Sequence, residues 1–251
     1  SQFASTQEHR QRIVNLIKDY RTLLGQGVVA RFDPETYSDA VAFARIGEGS
    51  LGGKARGLAF MNSMILKHRL YDKHANVRIM IPRSVVIATD YFDDFIRLNG
   101  LKYIISQEFS DEEILSEFVS STVPARLQQE LKAYIQTVRT PLAVRSSSKL
   151  EDSHYQPFAG IYSTYMIPYV DNGDQMLRLL LKAVKSVYAS VYFATSRAYL
   201  SSSQNLISEE KMAVIIQEVC GTEQDGLFFP TFSGVARSIN YYPIGDEAPA
   251  D

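Results

Sequence analysis

The chain has no tryptophan, four histidines and a single cysteine among its 251 residues. Alone, Cys220 cannot close an intrachain disulfide, so the core must hold the fold and a reducing, cytoplasmic setting is the expectation. His9, His68, His74 and His154 include no two at metal-ligand spacing within one helical turn, which removes the usual sequence sign of a histidine metal site. Excess charge is missing too: 26 Lys plus Arg face 28 Asp plus Glu, for a formal net charge of -2. Without a basic field, counterion release cannot drive nucleic-acid binding, so any anion must be met by a local cluster. No apolar run approaches the roughly 20 residues of a membrane-spanning helix, and no signal peptide is visible. The first residue is Ser1 rather than methionine, which predicts a piece of a longer chain.

What is present is a 45% hydrophobic fraction, enough for a sizeable core. Ile13, Leu16, Ile17, Tyr20 and Leu24 recur at helical spacing and predict an amphipathic helix over 8–24, part of an N-terminal helical extension covering 1–44. Next, the stretch ARIGEGSLGGKARGLAFMNSMI carries a glycine-rich loop into a helix with Leu58, Met61 and Ile65 on its apolar face. Residues 77–88 read as a strand interrupted at Pro82, and 90–98 as a short capped helix. Acidic residues from Asp111 and a proline at Pro124 open two further helices, over 111–119 and 124–138. From Thr140 the pattern changes to short β-rich runs at 142–144, 160–167, 212–219 and 233–239. Between the second and third, Met176, Leu179, Leu180, Ala183, Val187 and Val191 line one face of a long helix spanning 174–199. This order predicts an α+β fold with a mixed, mostly antiparallel sheet and flanking helices, rather than regularly alternating βαβ units.

Three segments bear on chemistry. Gly47, Gly49 and Gly52 satisfy a dinucleotide-type G-x-G-x-x-G, yet Asp72 precedes the next predicted strand instead of ending it, as that motif requires. A P-loop fails as well, because its first glycine falls on Glu48 and Ala55 replaces the metal-binding hydroxyl. What remains is Gly52-Gly53-Lys54 at a helix start, where backbone amides, the positive helix end and an ammonium converge on a phosphate-sized space; the competing reading is a loop with a solvated lysine. Second, PLAVRSSSKLEDSHYQPFAGIYSTY places Arg145 at the end of an apolar run, followed by Ser146, Ser147 and Ser148. The guanidinium supplies planar permanent charge, and the small residues let backbone amides approach anionic oxygens. The competing reading is a surface turn with ion pairs worth little. Third, KMAVIIQEVCG is a strand with the polar end Gln217-Glu218, where backbone groups in fixed register suit a base edge; most such strands are only core. Tyr162, Tyr165, Tyr169, Tyr241 and Tyr242 read as packing, because nothing basic surrounds them.

In this order the segments resemble the nucleotide-binding domain of the pyruvate phosphate dikinase and phosphoenolpyruvate synthase family, a branch of the ATP-grasp enzymes. LGGKARGLAFM is similar to the family's L-G-G-K-G-x-N-L-A-x-M, and MIPRSVVIATDYFDDFI to V-P-P-G-F-x-I-T-x-x-A-Y-x-x-F. AVRSSSKLEDSHYQPFAGIYSTY resembles V-R-S-S-A-x-x-E-D-x-x-x-x-S-F-A-G-x-x-x-T, while AVIIQEV and SGVARSI resemble A-V-V-V-Q-x-M-V and S-G-V-A-F-T-R. The resemblance implies that residues 45–251 are the N-terminal part of an ATP-grasp nucleotide-binding domain, truncated at its C-terminus. Lys54 would contact the ATP phosphates and Arg145 would hold the terminal phosphates during transfer, as the catalytic residue. Ser146, Ser147, Phe158, Ala159 and Gly160 match the loop that folds over the triphosphate, and Gln217, Glu218 and Val219 the strand that meets adenine. In the full protein, phosphate would pass from ATP to a histidine carrier domain and then to pyruvate, giving phosphoenolpyruvate through further domains. Magnesium would take part, with its ligands beyond Asp251, and the fragment would be inactive alone; neither nucleic acid nor membrane is an expected partner. Departures are Pro157 for the serine before Phe-Ala-Gly, Ile161 and Ser163 for the usual Gln and Glu, and Ile239 for the arginine after S-G-V-A. They leave two alternatives open: a nucleotide-binding regulatory module without transfer, or a dikinase acting on a glucan or antibiotic hydroxyl.

Overall fold

A computed structural model of the chain describes residues 10, 13, 29–35, 37, 43–105, 107–148, 162–202 and 210–235. Arg10 and Ile13 are helical, and the rest of the predicted 8–24 helix lies outside the described residues. The chain divides into two compact units, Ser1–Val219 and Cys220–Asp251.

The first unit is built on a six-stranded sheet. Its strands are β1 (Ala30–Arg31), β2 (Phe43–Ile46), β3 (Ser84–Ile87), β4 (Leu142–Ser148), β5 (Thr164–Ile167) and β6 (Met212–Glu218). They lie in the order β1-β2-β3-β6-β4-β5. Pairs β1–β2 and β2–β3 are parallel, whereas β3–β6, β6–β4 and β4–β5 are antiparallel. The α+β class and the mostly antiparallel mixed sheet therefore stand. One crossover unit is present beside them, because α1 (Gly52–Lys67) connects the parallel pair β2 and β3. The last strand of the sheet, β6, sits inside it. That position explains its unbroken apolar run Met212–Ile216: both faces are covered, so alternation is lost.

Strand pairing sorts side chains to two faces, since neighbours in register share a side. On one face, Phe43, Val86, Ala213 and Ile215 pack with Ala55 and, less buried, Leu58 and Ile65 of α1. On the other, Ala44, Ile46, Val85, Ile87, Leu142, Val144, Val214 and Ile216 join the main core. That core is closed by α2 (Thr89–Leu98), α3 (Asp111–Ser120), α4 (Ala125–Ile135), α5 (Gly173–Ala189) and α6 (Ala194–Ser202). Phe95, Phe118, Tyr134 and Tyr188 are among its largest fully buried side chains.

Local chemistry sets the helix ends. Ser110 and Glu113 form a reciprocal capping box at α3, Pro124 opens α4, and the Asn172 side chain accepts from the Gln175 amide at α5. Three expectations change. Residues 77–88 give a strand only after Pro82, from Ser84, because proline cannot donate to the ladder. The long helix over 174–199 breaks: α5 stops at Ala189, a 3-10 turn spans Ser190–Tyr192, and Phe193 is extended before α6. The break is chemically satisfied, with Ser196 Oγ donating to the Ser190 carbonyl (2.6 Å) and the Asp111 carboxylate accepting from the Ala194 amide (2.8 Å). Finally, α2 has Ala88 at its cap position and no side-chain cap; its Thr89 and Asp90 side chains are used elsewhere.

In the second unit, β7 (Thr222–Gln224) and β8 (Leu227–Phe229) form a hairpin. It turns at Asp225 and Gly226, both at positive φ (52° and 76°), as a two-residue type I′ connection requires. Ser233, Gly234 and Val235 are not in a strand, and 236–239 lie outside the described residues.

Candidate functional site

The glycine-rich loop between β2 and α1 is fastened from both sides. Arg45 Nη1 donates to the Gly47 carbonyl (2.7 Å) and pairs with Glu48 Oε2 (2.7 Å). From α2, the Asp90 carboxylate accepts the amides of Glu48 (2.9 Å) and Gly49 (3.0 Å), and Thr89 Oγ1 accepts that of Ser50 (3.0 Å). The glycines follow from this crowding. A Cβ on Gly47 would stand 2.6 Å from Asp90 Oδ1, and one on Gly49 2.6 Å from the Asp90 backbone nitrogen. Gly52, at φ +72°, would place a Cβ 1.7 Å from the Ser147 carbonyl oxygen. The apparent dinucleotide pattern thus records close backbone approach by α2 and β4.

That approach brings Lys54 to β4. Ser147 Oγ accepts from the Ala55 amide (3.0 Å) and donates to the Leu51 carbonyl (2.8 Å), which ties the first turn of α1 to the strand. Lys54 Nζ donates to Ser146 Oγ at 3.1 Å. The strand β4 runs through Ser148, so Arg145 and the serines are rigid sheet residues, with Ser146, Ser147 and Ser148 fully buried. Arg145 is half-buried on the face that α1 covers, and its Nη1 donates to Gln217 Oε1 (3.2 Å). Gln217 Nε2 in turn donates to Ser84 Oγ (3.2 Å), whose hydroxyl donates to the Pro82 carbonyl (2.9 Å).

Glu218 points the other way. Its Oε1 lies 2.6 Å from Arg83 Nη2, with both side chains largely buried, and its Oε2 accepts from Thr140 Oγ1 at 3.3 Å. The contact to Arg83 is an ion pair out of line with the N–H bond, since Oε1 has no aligned hydrogen bond. Arg83 also donates to the Thr137 carbonyl (3.2 Å) and lies over the Tyr37 ring. Burial pushes the Tyr37 and Tyr134 phenols in this cluster well above their ordinary range. The backbone amides of Glu218 and Val219 donate to the Arg83 and Pro141 carbonyls, both at 2.9 Å.

The fold therefore assembles Lys54, Arg145, Ser146, Ser147 and Gln217 around the junction of α1 with β4 and β6. It sends the Glu218 side chain to the opposite face and holds Val219 through its backbone. Phe158, Ala159 and Gly160 lie outside the described residues. Sequence reading missed Ser84, Thr89 and Asp90; the available signal for Ser84 was a lone hydroxyl in the apolar strand Ser84–Ile87. A groove of about 480 Å³ between α4 and α5, lined by Lys132, Arg139, Tyr169 and Asn172 among others, shares no residue with this cluster. Among the described residues no three His, Cys, Asp or Glu side chains are grouped to hold a metal ion, and no helix is long and apolar enough to cross a membrane.

The fold thus carries Arg145 on β4 and Lys54 in the first turn of the helix packed against that strand. Residues 48–249 match the family described as pyruvate phosphate dikinase, AMP/ATP-binding domain, and the chain belongs to that family. It is 28% identical over 193 residues to an uncharacterized phosphotransferase, YvkC, of Bacillus subtilis (strain 168), covering 76% of this chain and 20% of that protein. With a phosphoenolpyruvate synthase of Aeropyrum pernix it shares 24% identity over 200 residues, covering 71% of this chain and 22% of the relative. The chain thus spans about a fifth of the length of these curated relatives.

Proposed function

We propose that this chain supplies the ATP-binding part of a phosphotransferase of the phosphoenolpyruvate synthase and pyruvate phosphate dikinase kind, with an ATP-grasp nucleotide domain over residues 45–251. The observation that carries this reading is that Lys54, in the first turn of α1, is hydrogen-bonded to Ser146, the residue that follows Arg145 in β4. Phosphoryl transfer is catalysed mainly by positioning and by neutralising charge on the phosphate oxygens. Lys54 does this as a point charge on the phosphates, and Arg145 as a planar donor pair on the terminal ones, the catalytic role. Ser146 and Ser147 hold the floor beneath them, and Phe158, Ala159 and Gly160 belong to the loop that covers the triphosphate. Gln217, Glu218 and Val219 form the strand end beside the base. Family membership supports ATP as the nucleotide.

The full protein would pass the phosphate to a histidine carrier and then to pyruvate, in the cytoplasm. Magnesium commonly bridges phosphate oxygens in such transfers, and its ligands would come from outside the described residues, which hold no group of three His, Cys, Asp or Glu side chains placed to bind a metal ion. The test is calorimetric titration of ATP into the wild-type chain and the Lys54→Ala and Arg145→Ala variants. Each variant is expected to weaken ATP roughly tenfold or more, the scale of one lost charge-assisted contact. ATP binding unchanged in both would sink the site assignment.

A further inference from the structure

Resting on the reading just given, we propose that Ser84 and Gln217 form a directional hydrogen-bond relay that positions the Arg145 guanidinium for a polyphosphate while leaving its charge uncompensated. The direction follows from donor and acceptor chemistry. Arginine only donates, so the Gln217 atom 3.2 Å from Arg145 Nη1 must be the carbonyl oxygen. The amide nitrogen then faces Ser84 and donates to its oxygen, and the Ser84 hydroxyl is left to donate to Pro82. One orientation satisfies all three links across β4, β6 and β3. Ser84 is fully buried, so its hydroxyl has no bulk water to turn to. Remove that hydroxyl and the Gln217 amide is free to rotate its NH2 toward the guanidinium, a donor against a donor.

The choice of an amide matters for charge. The half-buried Arg83 and Arg45 are paired with the carboxylates of Glu218 and Glu48, whereas no carboxylate among the described residues pairs with Arg145. A neutral acceptor fixes the fork without cancelling its field, so the attraction is kept for phosphate oxygens. Ser84 touches no nucleotide in this arrangement and is a positioning residue. Because Arg145 acts on the terminal phosphates, the relay sets the preference for ATP over AMP.

The experiment titrates ATP and AMP into the 251-residue chain as wild type, Ser84→Ala, Gln217→Glu and Arg145→Ala, and follows the Arg145 and Gln217 side-chain N–H signals by NMR without nucleotide. Ser84→Ala is expected to weaken ATP roughly tenfold while AMP changes by less than about twofold, the size of one hydrogen bond to a charged group. Gln217→Glu is expected to weaken ATP more than AMP, since its carboxylate neutralises Arg145, while any loss at the neighbouring base is common to both nucleotides. In the nucleotide-free chain, Ser84→Ala should move the Arg145 and Gln217 signals together. Equal loss of ATP and AMP, or an Arg145 signal and ATP/AMP ratio left at wild-type values, would overturn the relay. If Arg145→Ala weakens ATP and the other two variants do not, the relay alone fails; if Arg145→Ala changes nothing, the assignment of Arg145 to the terminal phosphates fails and the relay with it.

Discussion

At Gly52 the backbone is left-handed and a Cβ would fall 1.7 Å from the Ser147 carbonyl oxygen, far inside van der Waals contact. Gly52→Ala must therefore strain φ and push β4 away from α1, which we expect to cost about 3 kcal/mol in urea unfolding. Gly57 is the internal control. It stands in the interior of α1 with nothing within 4 Å of a built Cβ, so Gly57→Ala should stabilise by roughly 0.5–1 kcal/mol through helix propensity. If both substitutions behaved alike, the close-approach account of the glycine loop would be wrong. Residue identity alone showed that Gly52, Lys54 and Arg145 were candidates, because few residue types suit a tight anion-facing turn. It gave no sign that Asp90 would cross 41 positions to hold Gly49, since a carboxylate in a first helical turn ordinarily serves its own helix.

Among the elements, α3 shows a boundary written entirely in local chemistry. Ser110 Oγ accepts from the Glu113 amide, and Glu113 Oε2 accepts from the Ser110 amide (2.8 Å). The backbone hydrogen bond from Ser110, then its hydroxyl, hold the Glu113 carboxyl below its ordinary value of 4.5. The folded state thus favours the ionised form, and the stabilisation is present above the ordinary glutamate value. It is lost as pH falls through the lower folded value. Glu113→Gln should lower the unfolding midpoint at about pH 6, and that difference should shrink at about pH 3. A deficit that stays constant with pH would remove the ionised capping box from the account. The α5–α6 break was invisible for the opposite reason: periodicity continues through it, and the groups that satisfy it, Asp111 and Ser196, are set by packing rather than by spacing.

For the molecule as a whole, the Arg83–Glu218 pair fastens β3 to the end of β6, with side chains 15% and 12% exposed. Arg83→Met strands the Glu218 carboxylate in a poorly hydrated setting and is expected to cost about 3 kcal/mol. Adding Glu218→Leu should recover most of that loss, because the penalty is desolvated charge rather than missing attraction. A double variant no more stable than Arg83→Met would contradict this. Position in the sheet also explains Gln217 and Glu218: they are sequence neighbours, yet strand alternation sends one to Arg145 and the other to Arg83.

By itself the sequence determined the α+β class and most element positions, and it singled out Lys54 and Arg145 as candidates, because periodicity, caps and permanent charge are local properties read residue by residue. The tertiary structure alone decided that β6 enters the middle of the sheet, that Asp90 fastens the glycine loop, and that Gln217 is hydrogen-bonded to both Arg145 and Ser84. Each of these joins residues far apart in the chain, and such contacts are fixed by strand order and register, which no local pattern encodes.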